Sequence, residues 1–236
     1  MQIISTGNRI VNSYLVKTPR GYVAVDSGYR DGFPAYRKTL EQNNISLSDI
    51  RYLFLTHSHD DHVGFMGELL AATDAKLILH RSAVARIAEG KNFPGKYADR
   101  KAALVSGLMN LTGSVKHGFD PIEEESRMIP WDGSSQPLSG FGLTVIALPG
   151  HTPDSIGLLT ADGELFCGDA AMNGFPSSHR ISIFLEDPSQ YAKSWDTILA
   201  SGASELYPGH GAPFAADDLR NFREYADRIR PISKQK

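Results

Sequence analysis

The sequence predicts a mixed α/β fold, read from three observations. Short apolar runs rich in β-branched and aromatic residues recur along the chain, with one-faced helical stretches between them. Most of these runs stop at a turn carrying Gly, Pro or Asp. The second half of the chain repeats the style of the first, strand runs followed by a helix, without a fixed short repeat period.

At 236 residues the chain is long enough to bury a substantial core, and residues 1–236 read as a single domain. The net charge of −3, with no basic run, argues against a nucleic-acid partner. No apolar stretch reaches membrane-spanning length, so no membrane partner is expected. Met1-Gln2-Ile3-Ile4-Ser5 lacks the charged start and apolar segment of a signal peptide, so the expected location is cytoplasmic. Cys167 is the single cysteine. It excludes an internal disulfide and a thiolate-rich structural zinc site.

In order, Ile3-Ile4 and Tyr14–Val16 read as the first strands, with a turn at Thr18-Pro19-Arg20-Gly21 and a third strand at Tyr22–Val25 ending in Asp26-Ser27-Gly28. A helix is expected over Phe33–Asn43, with Phe33, Tyr36 and Leu40 on one face. Arg51–Leu55 is a strand and Gly67–Ala72 a helix. Lys76–Leu79 and Ser82–Glu89 repeat that pair, the helix stopped by Gly90. The character changes over residues 91–125, which read as a lid or pocket insertion. Asn92-Phe93-Pro94-Gly95 is a loop there, Arg100–Leu111 an amphipathic helix ending at Gly113, and Glu123–Glu125 a solvated face. Leu143–Leu148 is the next strand. Ile156–Thr160 and Glu164–Cys167 form a hairpin around Ala161-Asp162-Gly163. Asp187-Pro188 caps a helix whose inner face is Tyr191, Trp195, Ile198 and Leu199. Glu205–Tyr207 is a last strand, and a helix over Asp217–Arg230 buries Leu219, Phe222 and Ile229.

The chemistry is concentrated in Thr56-His57-Ser58-His59-Asp60-Asp61-His62. Histidine is the commonest metal ligand, and neutral imidazole suits zinc and other first-row transition metals. His57 and His59 point to one side in an extended stretch, because strand side chains have period two. Other strand ends carry similar groups, at His151, Asp169 and His210, with Gly150, Gly168 and Gly209 beside them. Five histidines and two aspartates exceed what one four-coordinate zinc needs. Two metals sharing a carboxylate and a water would use all seven.

The order His-x-His-x-Asp-His, then Gly-His-Thr, then Gly-Asp, then Gly-His resembles the metallo-β-lactamase superfamily from about Asp26 to Gly211. The resemblance implies a four-layer αββα sandwich with mixed sheets and the site at one edge. It implies two zinc ions, with iron or manganese as alternatives. His57, His59 and His151 would hold the first metal; Asp61, His62 and His210 would hold the second, with Asp169 bridging. Asp26 resembles the family carboxylate that orients a ligand histidine. Thr56 and Thr152 are read as supporting neighbours; Thr152 and Ser155 resemble the family's His-Thr-Pro-x-Ser stretch. Ser58 and Asp60 match no ligand position.

The mechanism expected is attack by a metal-bridging hydroxide, with Asp61 orienting it and shuttling a proton, and Asp169 as the second catalytic carboxylate. True β-lactamases usually place Cys or Ser at the position of Asp169, so antibiotic hydrolysis is not expected. Glyoxalase II adds a C-terminal helical region, and RNA-processing relatives a basic arm; neither is seen here. The reading is therefore a hydrolase of a small ester, lactone or thioester, lactonase-like or glyoxalase II-like, acting on a small-molecule substrate as monomer or homodimer. The alternatives are a mononuclear iron persulfide dioxygenase-like oxidoreductase and a non-catalytic metal-stabilised binding protein. His179 and Arg180 are candidate substrate contacts, His80 and His117 are read as structural or surface histidines, and Cys167 as a small buried residue.

Overall fold

A computed structural model describes residues 1–92, 95–112 and 118–232. The first half runs β1 (Ile3–Ser5), β2 (Tyr14–Thr18), β3 (Gly21–Val25), α1 (Phe33–Gln42), β4 (Ile50–Phe54), α2 (Asp60–Val63), α3 (Met66–Ala71), β5 (Lys76–His80) and α4 (Ala83–Ala88). After these come β6 (Lys96–Tyr97), α5 (Arg100–Thr112) and β7 (Met128–Trp131). The second half holds β8 (Leu143–Ala147), β9 (Ile156–Thr160), β10 (Glu164–Gly168), β11 (Phe184–Leu185), α6 (Pro188–Ala200), β12 (Glu205–Pro208), β13 (Phe214–Ala215) and α7 (Asp218–Asp227).

Two mixed sheets dominate, ordered β1-β2-β3-β4-β5-β7 and β13-β12-β10-β9-β8. In the first, β1–β3 pair antiparallel and β3, β4, β5 and β7 pair parallel. Alternation along each strand sends neighbouring residues to opposite faces, and both faces are apolar. Tyr14, Val16, Val23, Val25, Phe54 and Ile78 meet Val145, Ile156, Leu158 and Phe166 between the sheets. Their strand neighbours Leu15, Ala24, Leu53, Leu77 and Leu79 face outward onto Tyr36, Leu40, Leu69 and Ile87 of the first-half helices. On the far side Leu165, Cys167 and Leu206 face Tyr191, Trp195, Ile198 and Leu219 of α6 and α7. Three apolar cores separating four layers give the αββα sandwich.

Most elements lie within a residue or two of their expected positions. β7 was not anticipated: Pro130 within Met128–Trp131 argues against a strand, and the structure tolerates it because β7 lies at the sheet edge. β6, β11 and β13 are two-residue pairings with no periodicity to detect. The helix expected over Arg100–Leu111 is present, but Leu104 is 67% exposed, so its apolar residues do not all turn inward. Within the segment read as an insertion, Phe119 and Ile122 are buried in the first core, and Ile122 N–H donates to the Ile87 carbonyl. His117, the Phe93-Pro94 turn and the helix stop at Gly113 lie outside the described residues. No helix among the described residues is long and apolar enough to cross a membrane.

Candidate metal centre

The strands end where the chemistry begins. β4 runs into His57, β8 into His151, β10 into Asp169 and β12 into His210, all at one edge of the sandwich. The two sheets are tied there by main-chain bonds, Ile156 N–H to the Thr56 carbonyl at 2.8 Å and Asn12 N–H to the Gly209 carbonyl at 2.7 Å. Gly209 is required by space: a Cβ there would overlap the Asp169 carboxylate and the His62 ring.

The seven residues form overlapping groups. His57, His59 and His151 converge, with His151 Nε2 at 3.1 Å from His57 Nε2 and 2.9 Å from His59 Nδ1. Asp61, His62 and His210 form another group, and His57, His62 and Asp169 a third. Asp169 touches both sides: its Oδ2 lies 3.6 Å from His151 Nε2 and 3.4 Å from His210 Nε2, and its Oδ1 lies 3.6 Å from His62 Nε2.

The orientation of four rings follows from their outer partners. Carbonyl and carboxylate oxygens only accept, so Nδ1 of His151 donates to the Phe184 carbonyl at 2.7 Å. Nδ1 of His210 donates to the Ile10 carbonyl at 2.6 Å, and Nδ1 of His62 to Asp26 Oδ2 at 2.8 Å. Thr56 Oγ1 donates to Asp26 Oδ2 at 2.8 Å, which leaves its lone pair to accept from His57 Nδ1 at 3.0 Å. Asp26 Oδ1 also accepts from Thr56 N–H at 2.8 Å. Each of these four rings therefore aims Nε2 inward, the arrangement second partners impose on metal-ligating imidazoles. His62 Nε2 and Asp169 Oδ1 are buried and have no hydrogen-bond partner among the described residues. Buried polar atoms are nearly always partnered, and facing lone pairs of imidazole and carboxylate are the donor set a divalent cation takes. The residues present fit a metal.

Charge divides the cluster. Burial and the surrounding imidazoles hold His57 well below its ordinary range, and burial and His59 hold His151 down to about 4. Burial opposes charge on His62, but Asp61 and Asp26 outweigh it and push the ring up to about 10. At His210 Asp169 and Asp61 likewise overcome burial and push it up to about 9. Burial resists ionisation of Asp61 as well, yet His62 and His210 hold its carboxyl well below the usual carboxylate range. The carboxylate half is thus a place where positive charge is stabilised, by protons or by a cation that displaces them. The opening is on that side: Asp61 is 17% and His210 14% exposed, whereas the His62 and His151 side chains are fully buried.

Other candidate residues fall elsewhere. Thr152 touches Ser155, Oγ1 to Oγ at 2.8 Å, and braces the turn that carries His151. His179 stacks on Tyr225, with ring centroids 3.9 Å apart, and Arg180 pairs with Asp218 at 2.8 Å. Both lie against the α7 region, and His179 lines a separate cavity of about 520 Å³ that contains none of the seven residues. His80 is half-buried beside Trp131, and Cys167 is buried. Asp60 is buried and accepts from Asn92 Nδ2 and Gly118 N–H, both at 2.9 Å, so it anchors the 91–125 segment to α2. Tyr29, three residues beyond Asp26, went unnoticed in the sequence. It borders the cluster, and burial together with Asp61, Asp60 and Asp169 pushes its hydroxyl pKa up.

A four-layer sandwich with this His/Asp cluster at its strand ends defines a metalloenzyme class. The metallo-beta-lactamase superfamily profile matches residues 6–210. The chain belongs to the metallo-beta-lactamase superfamily of metal-dependent hydrolases. It is 26% identical over 95% of its length to the "Probable metallo-hydrolase YflN" of Bacillus subtilis, spanning 89% of that protein. It is 26% identical over 93% of its length to the "Atrochrysone carboxyl ACP thioesterase AacuM" of Aspergillus aculeatus, and spans 56% of that longer protein. Among solved structures, an archaeal superfamily member from Sulfolobus tokodaii matches 94% of this chain and 85% of its own, with a TM-score of 0.68 at 18% identity. That likeness speaks for the fold.

Proposed function

We propose that this chain is a dinuclear metal-dependent hydrolase of a small ester, lactone or thioester, with zinc as the metal. The observation that carries the reading is Asp169, whose two oxygens lie within 3.6 Å of histidines in both groups. One carboxylate placed between two ligand sets is the arrangement that two metals sharing a ligand require. His57, His59 and His151 would hold one ion, and Asp61, His62 and His210 the other, with Asp169 between them. When bound, these ions would supply an acidified water and a polarising charge for the scissile carbonyl.

The chain's own groups do the rest. Asp26 and Thr56 hold His57 and His62 in the tautomer that leaves Nε2 free. Asp61, partly open to solvent and 3.2 Å from His210 Nε2, is placed to orient the attacking water and to carry its proton to the leaving group. Substrate enters on the Asp61–His210 side, since the other histidines are enclosed. The named activity of AacuM favours a thioester within this range, and YflN supports a metallo-hydrolase of similar length.

The test is metal content by elemental analysis of protein purified without added metal or chelator, followed by a panel of lactones, thioesters and phosphodiesters. About two zinc ions per chain and turnover of an ester class that falls at least a hundredfold in Asp61→Asn would support the reading. A single iron with no hydrolysis would overturn it.

A further inference from the structure

Outside the metal-facing side chains, one chain of ionic contacts centred on a buried carboxylate links the two loops of the three-histidine group. Asp154 is completely buried in the turn after His151, and its Oδ2 accepts the Ser58 N–H at 2.9 Å. Ser58 is the residue between His57 and His59. The other oxygen, Asp154 Oδ1, has no hydrogen-bond partner among the described residues, but Arg86 Nη1 of α4 stands 3.6 Å away. Arg86 forks onto Glu186 at 2.7 and 3.0 Å. Glu186 N–H in turn donates to the carbonyls of Gly150 and His151, both at 3.0 Å. The chain Ser58–Asp154–Arg86–Glu186–His151 therefore runs from one histidine-bearing loop to the other.

We infer that Arg86, held in place by Glu186 and acting by its pairing with the buried Asp154, is a positioning residue that fixes the loops carrying His57, His59 and His151 in the geometry that receives the metal. The inference rests on the metal reading above. The physical reason is charge. A carboxylate at full burial is costly unless it is paired, and removing one partner of a buried pair is worse than removing both. Arg86 faces one oxygen of Asp154 while the other holds the Ser58 N–H, so loss of the guanidinium disturbs the group that fixes the turn between His57 and His59. A fork onto Glu186 needs the planar guanidinium, so lysine does not replace it. A salt bridge that merely added stability would not need to touch the main chain of both ligand loops.

The test compares zinc affinity, by competition with a chromogenic chelator, in wild type, Arg86→Met, Asp154→Asn and the double variant. Arg127→Met, which loses a clamp on the Leu70, Thr73 and Ala75 carbonyls remote from the cluster, serves as the control for general destabilisation. Arg86→Met is expected to bind zinc about tenfold to hundredfold more weakly, the range for partners that orient metal ligands. It should also change the intensity of the visible bands of the cobalt-substituted protein. Asp154→Asn keeps an acceptor for Ser58 without a buried charge and is expected to stay within about threefold of wild type. The double variant should resemble Asp154→Asn, a non-additivity that a shared network predicts.

Wild-type zinc affinity and an unchanged cobalt spectrum in Arg86→Met would overturn the proposal, as would an equal loss in Arg127→Met. Should Arg86→Met not fold, the double variant decides: if it folds and binds zinc like Asp154→Asn the proposal stands, and if it also fails to fold or to bind the proposal falls. A wild type that takes up neither zinc nor cobalt would overturn the metal reading itself, a result distinct from these.

Discussion

Asp26 Oδ2 lies 2.8 Å from His62 Nδ1 and 2.8 Å from Thr56 Oγ1, so one buried carboxylate sets the direction of two inward-facing rings. Asp26→Ala removes three acceptor contacts at once. Zinc affinity is expected to fall about tenfold to hundredfold, as for loss of a partner that orients a metal ligand. The stranded donors should also lower folding stability by about 1–3 kcal/mol. Chelator competition and urea melts of the metal-free protein read the two effects separately.

Two glycines predict opposite outcomes. A Cβ at Gly209 would collide with Asp169 and His62, so Gly209→Ala is expected to abolish stoichiometric metal binding. Gly107 lies inside α5 with nothing within 4 Å of where its Cβ would be. Gly107→Ala is expected to stabilise the fold by about 0.5–1 kcal/mol and leave metal binding intact, because alanine gives up less chain entropy in a helix. Elemental analysis and thermal melts check both.

Metal removal should be visible in stability. The carboxylates of Asp61 and Asp169 both face His210 Nε2, at 3.2 and 3.4 Å, and a bound cation that favours the native state adds RT ln(1 + [L]/Kd). At a thousandfold excess over Kd this is about 4 kcal/mol. Exhaustive chelation is expected to lower the melting temperature, and zinc to restore it. An unchanged melt would argue against a metal at this cluster.

Asp187 caps α6, its Oδ1 accepting from Gln190 N–H at 3.0 Å. That backbone bond, with the Gln190 side chain next, holds its carboxyl below the ordinary value. A depressed folded-state pKa means the stabilisation is present above the ordinary carboxylate pKa and is lost as pH falls through the folded one. Asp187→Ala should cost about 1 kcal/mol near neutral pH. The gap from wild type should close on acidification, as denaturant melts at several pH values would read.

Much of this protein is legible in its sequence. The strand and helix periods placed most elements, because alternation and one-faced helices are local consequences of burial. Asp187-Pro188 announced the α6 start, as local capping chemistry does. The spacing of His57, His59, Asp61 and His62, with His151, Asp169 and His210 at later strand ends, marked a metal-type constellation. β7 was hidden by Pro130, since only its edge position makes proline acceptable there.

What the sequence by itself determined was therefore the α/β class, the family resemblance and the set of residues able to hold metal. Only the tertiary structure decided how they meet. Asp169 reaches both histidine groups because β10 pairs parallel with β12 and antiparallel with β9, a long-range choice no local pattern encodes. Asp154 carries no local signal of its burial, and it meets its counter-charge only because folding brings Arg86 of α4, 68 positions away, to within 3.6 Å. His179 and Arg180, which sequence proximity to Asp169 suggested for the substrate, are turned instead onto Tyr225 and Asp218. Ligand identity is written in residue chemistry, whereas convergence, burial and counter-charge are properties of pairs far apart along the chain, and folding alone brings those pairs together.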